Sequence, residues 1–172
     1  GRIENDQIGE RAGQMLRYIE DVCKAREARS IVGWQAQVID DVGLRERLEQ
    51  RGVEFLTETG GREFIRTAEA ADIGISGVDY ALADTGTLVL LTRRGQARSI
   101  SLLPPVHIAL VRPQQVLSGL SDLFPVLRAN TESGSLSSAI TFISGPSRTA
   151  DIELTLVVGV HGPQHLHVLL LE

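Results

Sequence analysis

Val106-His107-Ile108-Ala109-Leu110-Val111 is a run of six residues interrupted by a single imidazole. A run that is apolar at consecutive positions has no polar face to give to water, so it reads as a strand buried on both sides in the middle of a sheet. Upstream, apolar residues recur at helical spacing through Ile8, Ala12, Met15, Leu16, Ile19, Val22 and Cys23, which predicts a helix over 6–28. Ser30 to Trp34 then reads as a short strand. Asp40 and Asp41 are placed to cap a second helix carrying Leu44 and Leu48, which Gly52 ends. Val53 to Leu56 is a second strand, and Arg62 to Ala71 a third helix with Phe64, Ile65 and Ala68 on one face. Strand and helix alternate, and that alternation predicts an α/β fold with a largely parallel sheet flanked by helices.

Downstream the pattern changes. Residues 1–70 hold 25 charged groups and residues 71–172 only 14, so the chain divides into a helix-rich charged part and a strand-rich part within one domain over 1–172. Thr87 to Thr92 and Ala97 to Leu103 flank Arg93-Arg94-Gly95-Gln96, which reads as an antiparallel hairpin with a solvated, arginine-rich tip. Pro113 suits the first turn of a helix through Val116, Leu117, Leu120 and Phe124, with Pro125 ending or kinking it. Asn130 to Ser138 reads as a loop. Ile140 to Ile143, Leu154 to Val160 and His167 to Leu171 are further strands, with Asp151 to Leu156 open to a helix instead.

Composition removes several functions. The chain has 172 residues, a net charge of −5 and a pI near 5.4, an acidic balance that argues against nucleic acid as the main partner. Cys23 is the single cysteine, so the chain forms no internal disulfide and supplies no four-thiolate iron–sulfur site. Lys24 is the single lysine and lies in a charged helical stretch, away from the glycines a P-loop needs, and any Schiff-base or pyridoxal mechanism would have to use it. No apolar run approaches the length of a membrane span, and no secretory apolar core precedes the fold, so a cytoplasmic address is expected. Gly1 stands where Met opens a complete chain, which points to residues upstream.

Two loops carry chemistry by residue type. Ala83-Asp84-Thr85-Gly86-Thr87 enters a strand. Its glycine permits a tight turn, Thr85, Gly86 and Thr87 offer hydroxyls and amides to an anion, and Asp84 could act as a base or position a hydroxyl. The plain alternative is an Asx turn. Ser144-Gly145-Pro146-Ser147-Arg148-Thr149-Ala150-Asp151 follows a strand expected to be central, beyond whose carboxyl end ligands collect in α/β sheets. Arg148 offers a planar fork for a carboxylate or phosphate, and Ser147 or Thr149 could cap a following helix. The alternative pairs Arg148 with Asp151 or Glu153. His107 is either a core histidine or an acid/base group. His161, His165 and His167 form H-x3-H-x-H. Residues 165 and 167 share a strand face, but without a nearby cysteine a structural or partner-contact role outweighs a metal site, and no metal is expected.

Four segments together resemble one known family. They are Gly74-Ile75-Ser76-Gly77-Val78-Asp79-Tyr80-Ala81-Leu82-Ala83-Asp84-Thr85-Gly86-Thr87-Leu88-Val89-Leu90, Ser101-Leu102-Leu103-Pro104-Pro105 with the apolar run after it, Ser144 to Glu153, and Gly159-Val160-His161-Gly162-Pro163 followed by Leu166-His167-Val168. They are similar to the lactate-utilisation (LUD) domain family, in its LutC/YkgG branch, over roughly Ile73 to Leu171. At the acidic position where that family often carries Glu, this chain has Asp84. The resemblance implies a fold like that of the NagB/RpiA/CoA transferase superfamily, and Gly77-Val78-Asp79 loosely resembles a Gly-Ala-Asp stretch of ribose-phosphate isomerases.

The resemblance further implies a part in oxidising L-lactate to pyruvate, with the iron–sulfur clusters on partner subunits and no cofactor bound by this chain. In that role Arg148 would hold the substrate carboxylate. Asp84, Thr85 and Thr87 would line the opposite wall, and His107 would be the imidazole available to take the hydroxyl proton. The expected partners are iron–sulfur subunits and a small carboxylate or phosphate ligand, with no nucleic acid and no membrane, and with a homo-oligomer left open. The alternatives are a stand-alone isomerase or acyl/CoA transferase of the same superfamily, and a non-catalytic scaffold or regulatory module.

Overall fold

A computed structural model describes residues 2–34, 43–57, 61–93, 95–132, 137–150 and 156–171. Helix α1, Arg2–Ala25, leads into β1, Ser30–Gly33. Helix α2, Leu44–Glu49, β2, Glu54–Thr57, and helix α3, Gly61–Ala70, follow. Then come β3, Ile73–Gly77, β6, Val106–Val111, and, at the far end of the described chain, β11, His165–Leu170. These five strands form one sheet in the order β11-β6-β3-β1-β2, and every neighbouring pair is parallel. All six residues of β6 and all five of β3 are buried, including His107 and Ser76, as befits strands covered on both faces.

The α1 stripe enters the core as its spacing predicts: Met15, Leu16, Ile19, Val22 and Cys23 are buried against Ile31, Val32, Ile73 and Ile75. Glu20 lies buried on the same helix and accepts from Nε of both Arg47 and Arg51, tying α1 to α2. Those two guanidinium bonds outweigh burial and hold the Glu20 carboxyl below its ordinary range. Asp40 and Asp41 lie outside the described residues; α2 instead opens at Gly43 in a left-handed conformation, φ +62°. On α3, Phe64 and Ala68 are buried, but Ile65 is 49% exposed and belongs to the surface rather than the core face.

A second sheet, in the order β7-β4-β5-β8, covers one side of the first. It consists of β4, Tyr80–Leu82, β5, Thr87–Leu91, β7, Val116–Leu117, and β8, Ile140–Ile143. Leu88 and Leu90 belong to the main core, with Ala81 and Ile143 packed against it. Leu82, Val89 and Leu91 pack on the opposite face against Leu123 of helix α4, Leu120–Glu132. The remaining strands, β9, Arg148–Ala150, and β10, Leu156–Val158, make an antiparallel pair.

Several expectations fail here, each for a local reason. The antiparallel hairpin forms around residues 83–86, between β4 and β5, and not around 93–96. Ala97 to Leu103 is no strand; Arg98–Ser101 is a 3-10 turn, because Ala97, Ile100 and Leu103 follow a three-residue period that turns Ile100 inward. Arg93 is tied down, paired with Asp79 and bridged to Gln96, while Arg94 lies outside the described residues. No continuous helix runs from Pro113 through Phe124. Pro113–Gln115 is a single turn, after which Val116 and Leu117 pair with Ala81 and Leu82 as a strand. Pro125 neither ends nor interrupts α4, which continues to Glu132; Pro125 and Ser121 are both exposed, so the carbonyl that loses its N–H partner faces water.

The 97–105 segment crosses β3 because Gly74 has no side chain. A Cβ there would lie 2.0 Å from the carbonyl oxygen of Ile100 and 3.1 Å from Cγ of Pro104. Both neighbours are rigid, so Gly74→Ala should lower stability by about 2–3 kcal/mol through overpacking. Urea unfolding of both proteins would show it as a lower midpoint with an unchanged slope.

Candidate functional site

Hydrogen bonds join the four motif-bearing segments into one surface. Thr87 Oγ1 lies 2.8 Å from Ser144 Oγ, which links the 83–87 turn to the 144–148 loop. Ser147 links that loop to 159–163. Its N–H donates to Pro163 O at 2.9 Å, its carbonyl accepts from Gly159 N at 3.0 Å, and its hydroxyl accepts from His161 N at 3.3 Å. The N–H groups of Gln164 and His165 both donate to Pro105 O, at 2.8 and 3.2 Å, bringing in the Ser-Leu-Leu-Pro-Pro segment. Pro105 precedes β6 and His165 opens β11, so this cluster sits at the amino ends of two parallel strands.

That placement corrects the expectation for the 144–151 segment. The strand before it, β8, is an edge strand of the second sheet and not a central one. No helix begins at Ser147 or Thr149: residues 148–150 are β9, and Ser147 spends its hydroxyl on the 159–163 turn. Asp151 and Glu153 lie outside the described residues.

Asp84, Thr85 and Gly86 are exposed at the tip between β4 and β5, and Gly86 takes φ +66°. Asp84 accepts from the Thr85 hydroxyl at 3.1 Å. Its carboxylate packs on the backbone that opens α4, since a Cβ at Gly119 would lie 2.5 Å from Oδ2. A negative group there faces the positive end of the α4 dipole. Thr87 is buried and engaged by Ser144, so it is a structural link rather than an open anion ligand.

Arg148 is exposed on β9 and lines a groove of about 460 Å³. The opposing wall is not the 83–87 turn but Gln164, His165, Leu166 and His167 of the β11 edge. His167 Nδ1 is hydrogen-bonded to the Tyr18 hydroxyl at 2.8 Å, and the two rings meet edge to face. Burial lowers the His167 pKa, and the neighbouring His165 and Arg26 lower it further, so the ring is neutral near pH 7. The groove thus combines a full positive charge with two imidazoles. Among the described residues, no group of three or more His, Cys, Asp or Glu is placed to share a metal ion. Tyr18 and Gln164 carry no local signal in the sequence: Tyr18 is tied to this groove only through His167, and Gln164 meets Arg148 only in the folded chain.

His107 is a core residue. It is fully buried on β6, its Nε2 2.8 Å from Ser76 Oγ, and Nδ1 has no hydrogen-bond partner among the described residues. Burial alone holds its pKa down, at about 4. It lines none of the described grooves, and its full burial keeps it from a ligand's proton. Cys23 is also buried, and burial pushes its thiol up to about 11, which makes it a poor metal ligand.

The geometry defines an α/β protein with a cationic groove built from the loops at one edge of a parallel sheet. Comparison with known proteins gives its family: the LUD domain profile matches residues 10–171, and the chain belongs to that family. It is 40% identical to lactate utilization protein C of Halalkalibacterium halodurans over 163 residues, covering 94% of this chain and 71% of that protein. It is 35% identical to the uncharacterized protein YkgG of Escherichia coli over 153 residues, covering 88% of this chain and 66% of that one. Among solved structures, a DUF162 family protein from Deinococcus radiodurans shares the fold, with a TM-score of 0.50 at 21% identity over 92% of this chain and 97% of that one. Among the described residues no helix is long and apolar enough to cross a membrane.

The buried imidazole of His107 makes stability depend on pH in a stated direction. Its folded pKa lies below the ordinary value of 6.5, so the unfolded chain binds the extra proton first. Stability is complete above about pH 6.5 and falls as pH drops toward 4, by roughly 3 kcal/mol over that window. Urea titrations at pH 7 and 4.5 should show the loss, and His107→Gln should flatten most of it. His167, lowered in the same direction, keeps a smaller slope in the variant.

Proposed function

We propose that this chain serves lactate utilization as a component that lacks iron–sulfur centres, holding a small carboxylate at Arg148 and docking on iron–sulfur partner subunits. The observation that carries the proposal is the Arg148 groove. An exposed guanidinium there stands beside Gln164, His165 and His167, on the surface where all four motif-bearing segments meet. A planar guanidinium fork matches a carboxylate in two parallel hydrogen bonds. A neutral imidazole beside it offers one nitrogen to an oxygen on the adjacent carbon.

Conversion of L-lactate to pyruvate releases two electrons and two protons. The single, buried Cys23 provides no cluster, so the electrons leave through the iron–sulfur centres of the partners. Apolar side chains exposed on β7, α4 and β8, among them Val116, Leu120, Phe124 and Phe142, give the second sheet a surface for such contacts.

Calorimetry with pyruvate and oxamate tests the carboxylate site. Arg148→Ala should weaken both by about 10- to 100-fold, the worth of a charge-assisted pair, with unfolding unchanged. Equal affinity in the variant would remove Arg148 from the site. Gentle purification of the tagged chain from its lactate-grown host should bring down brown, cysteine-rich proteins and lactate-dependent dye reduction that the chain alone lacks. A colourless chain that turns over sugar phosphates or acyl-CoA would establish the stand-alone enzyme instead.

A further inference from the structure

A second concavity lies well away from Arg148 in the chain, between helix α3 and the 3-10 turn that follows β5. It has a volume of about 530 Å³, within the range of small-molecule sites. Phe64 and Ile65 line it from α3, and Leu102 and Leu103 from the segment entering β6. Ile65 and Leu103 are 49% and 39% exposed, large apolar side chains left facing an open groove. Two positive charges, Arg62 and Arg98, share this apolar lining, both exposed. Ser99 lines it as well, and its hydroxyl is buried without a hydrogen-bond partner among the described residues. An unmatched buried hydroxyl is costly, and a ligand oxygen that reached it would offset the loss.

We infer that this groove binds a small amphipathic carboxylate, a hydrocarbon chain ending in one anionic group. The pieces exclude simpler occupants. A bare inorganic anion would use Arg62 and Arg98 but leave Ile65 and Leu103 in water. A neutral hydrocarbon would cover the apolar wall but leave both guanidinium groups and the Ser99 hydroxyl unmatched. A chain of several carbons with a terminal carboxylate satisfies both. Gly61, which opens α3, also lines the groove and turns the positive end of a ten-residue helix toward it. None of these residues takes part in the Arg148 groove, so the inference stands apart from the carboxylate site proposed above.

The structure supplies a reporter. Trp34, the single tryptophan, donates its indole N–H to the carbonyl oxygen of Ala97 at 3.1 Å, and Ala97 lines the groove. The full chain is titrated with octanoate, acetate and 1-octanol by calorimetry, with Trp34 emission followed in parallel. Octanoate should bind at least about tenfold more tightly than either acetate or 1-octanol, since only it buries apolar surface and pairs charge together. Ile65→Glu, a change at an exposed position, should weaken octanoate by about tenfold or more. The Arg62→Ala, Arg98→Ala double variant should erase the preference of octanoate over 1-octanol, and Arg148→Ala should leave octanoate binding unchanged. Octanoate no tighter than acetate, or octanoate bound equally by Ile65→Glu, would overturn the inference. Octanoate displaced by Arg148→Ala alone would overturn it too, by assigning the ligand to the other groove.

Discussion

The carbonyl of Ile100 rests where a side chain on Gly74 would otherwise stand, and this close approach organises the half of the molecule that carries the motifs. It lets the chain leaving β5 lie flat across β3 before it enters β6. Ile100 becomes fully buried, and Ala97 comes within reach of the Trp34 indole. The same crossing sets Pro105 at the mouth of β6, where its carbonyl collects the N–H groups of Gln164 and His165 and so fixes where β11 begins. One missing methyl group thereby connects the buried sheet to the surface loops.

Those loops gather at the amino ends of β6 and β11, although α/β sheets usually bind ligands past the carboxyl ends of their strands. The second sheet accounts for the difference. It packs Leu88 and Leu90 onto the main core, and Thr87 and Ser144 are drawn together where β5 begins and β8 ends. From there the chain reaches the 159–163 turn through Ser147. Three backbone and side-chain contacts at that serine hold a stretch of chain with little regular structure of its own.

Much of this was legible from residues. The apolar run at 106–111 revealed β6, and helical spacing revealed α1, because both patterns record which faces meet the core; β3, with two glycines and a serine in five residues, went unread. The parallel sheet followed from the alternation of elements, and the family from segments whose residue order is specific. What misled was local chemistry answered by distant partners. Ala97 to Leu103 alternates well enough for a strand, yet its three-residue period and the bare backbone of Gly74 make it a turn. Val116 and Leu117 look helical until the edge of β4 claims them. His107 carries the side chain of an acid/base group, and only the burial of β6 on both faces makes it a core residue. Arg148 stood out by residue type, but its nearness to His165 and His167 did not, since nothing local in the chain announces that the two stretches will line one groove.

Cys23 carries a consequence of another kind. It is the molecule's sole thiol, it lies on the core-facing side of α1, and its raised pKa leaves almost none of it as thiolate at neutral pH. While the helix is seated, the thiol is almost wholly covered and un-ionised, so alkylation is slow, and it quickens when α1 lifts away. The speed of labelling at Cys23 becomes a clock for the opening of the longest helix, read from the native protein without denaturant and without any introduced probe.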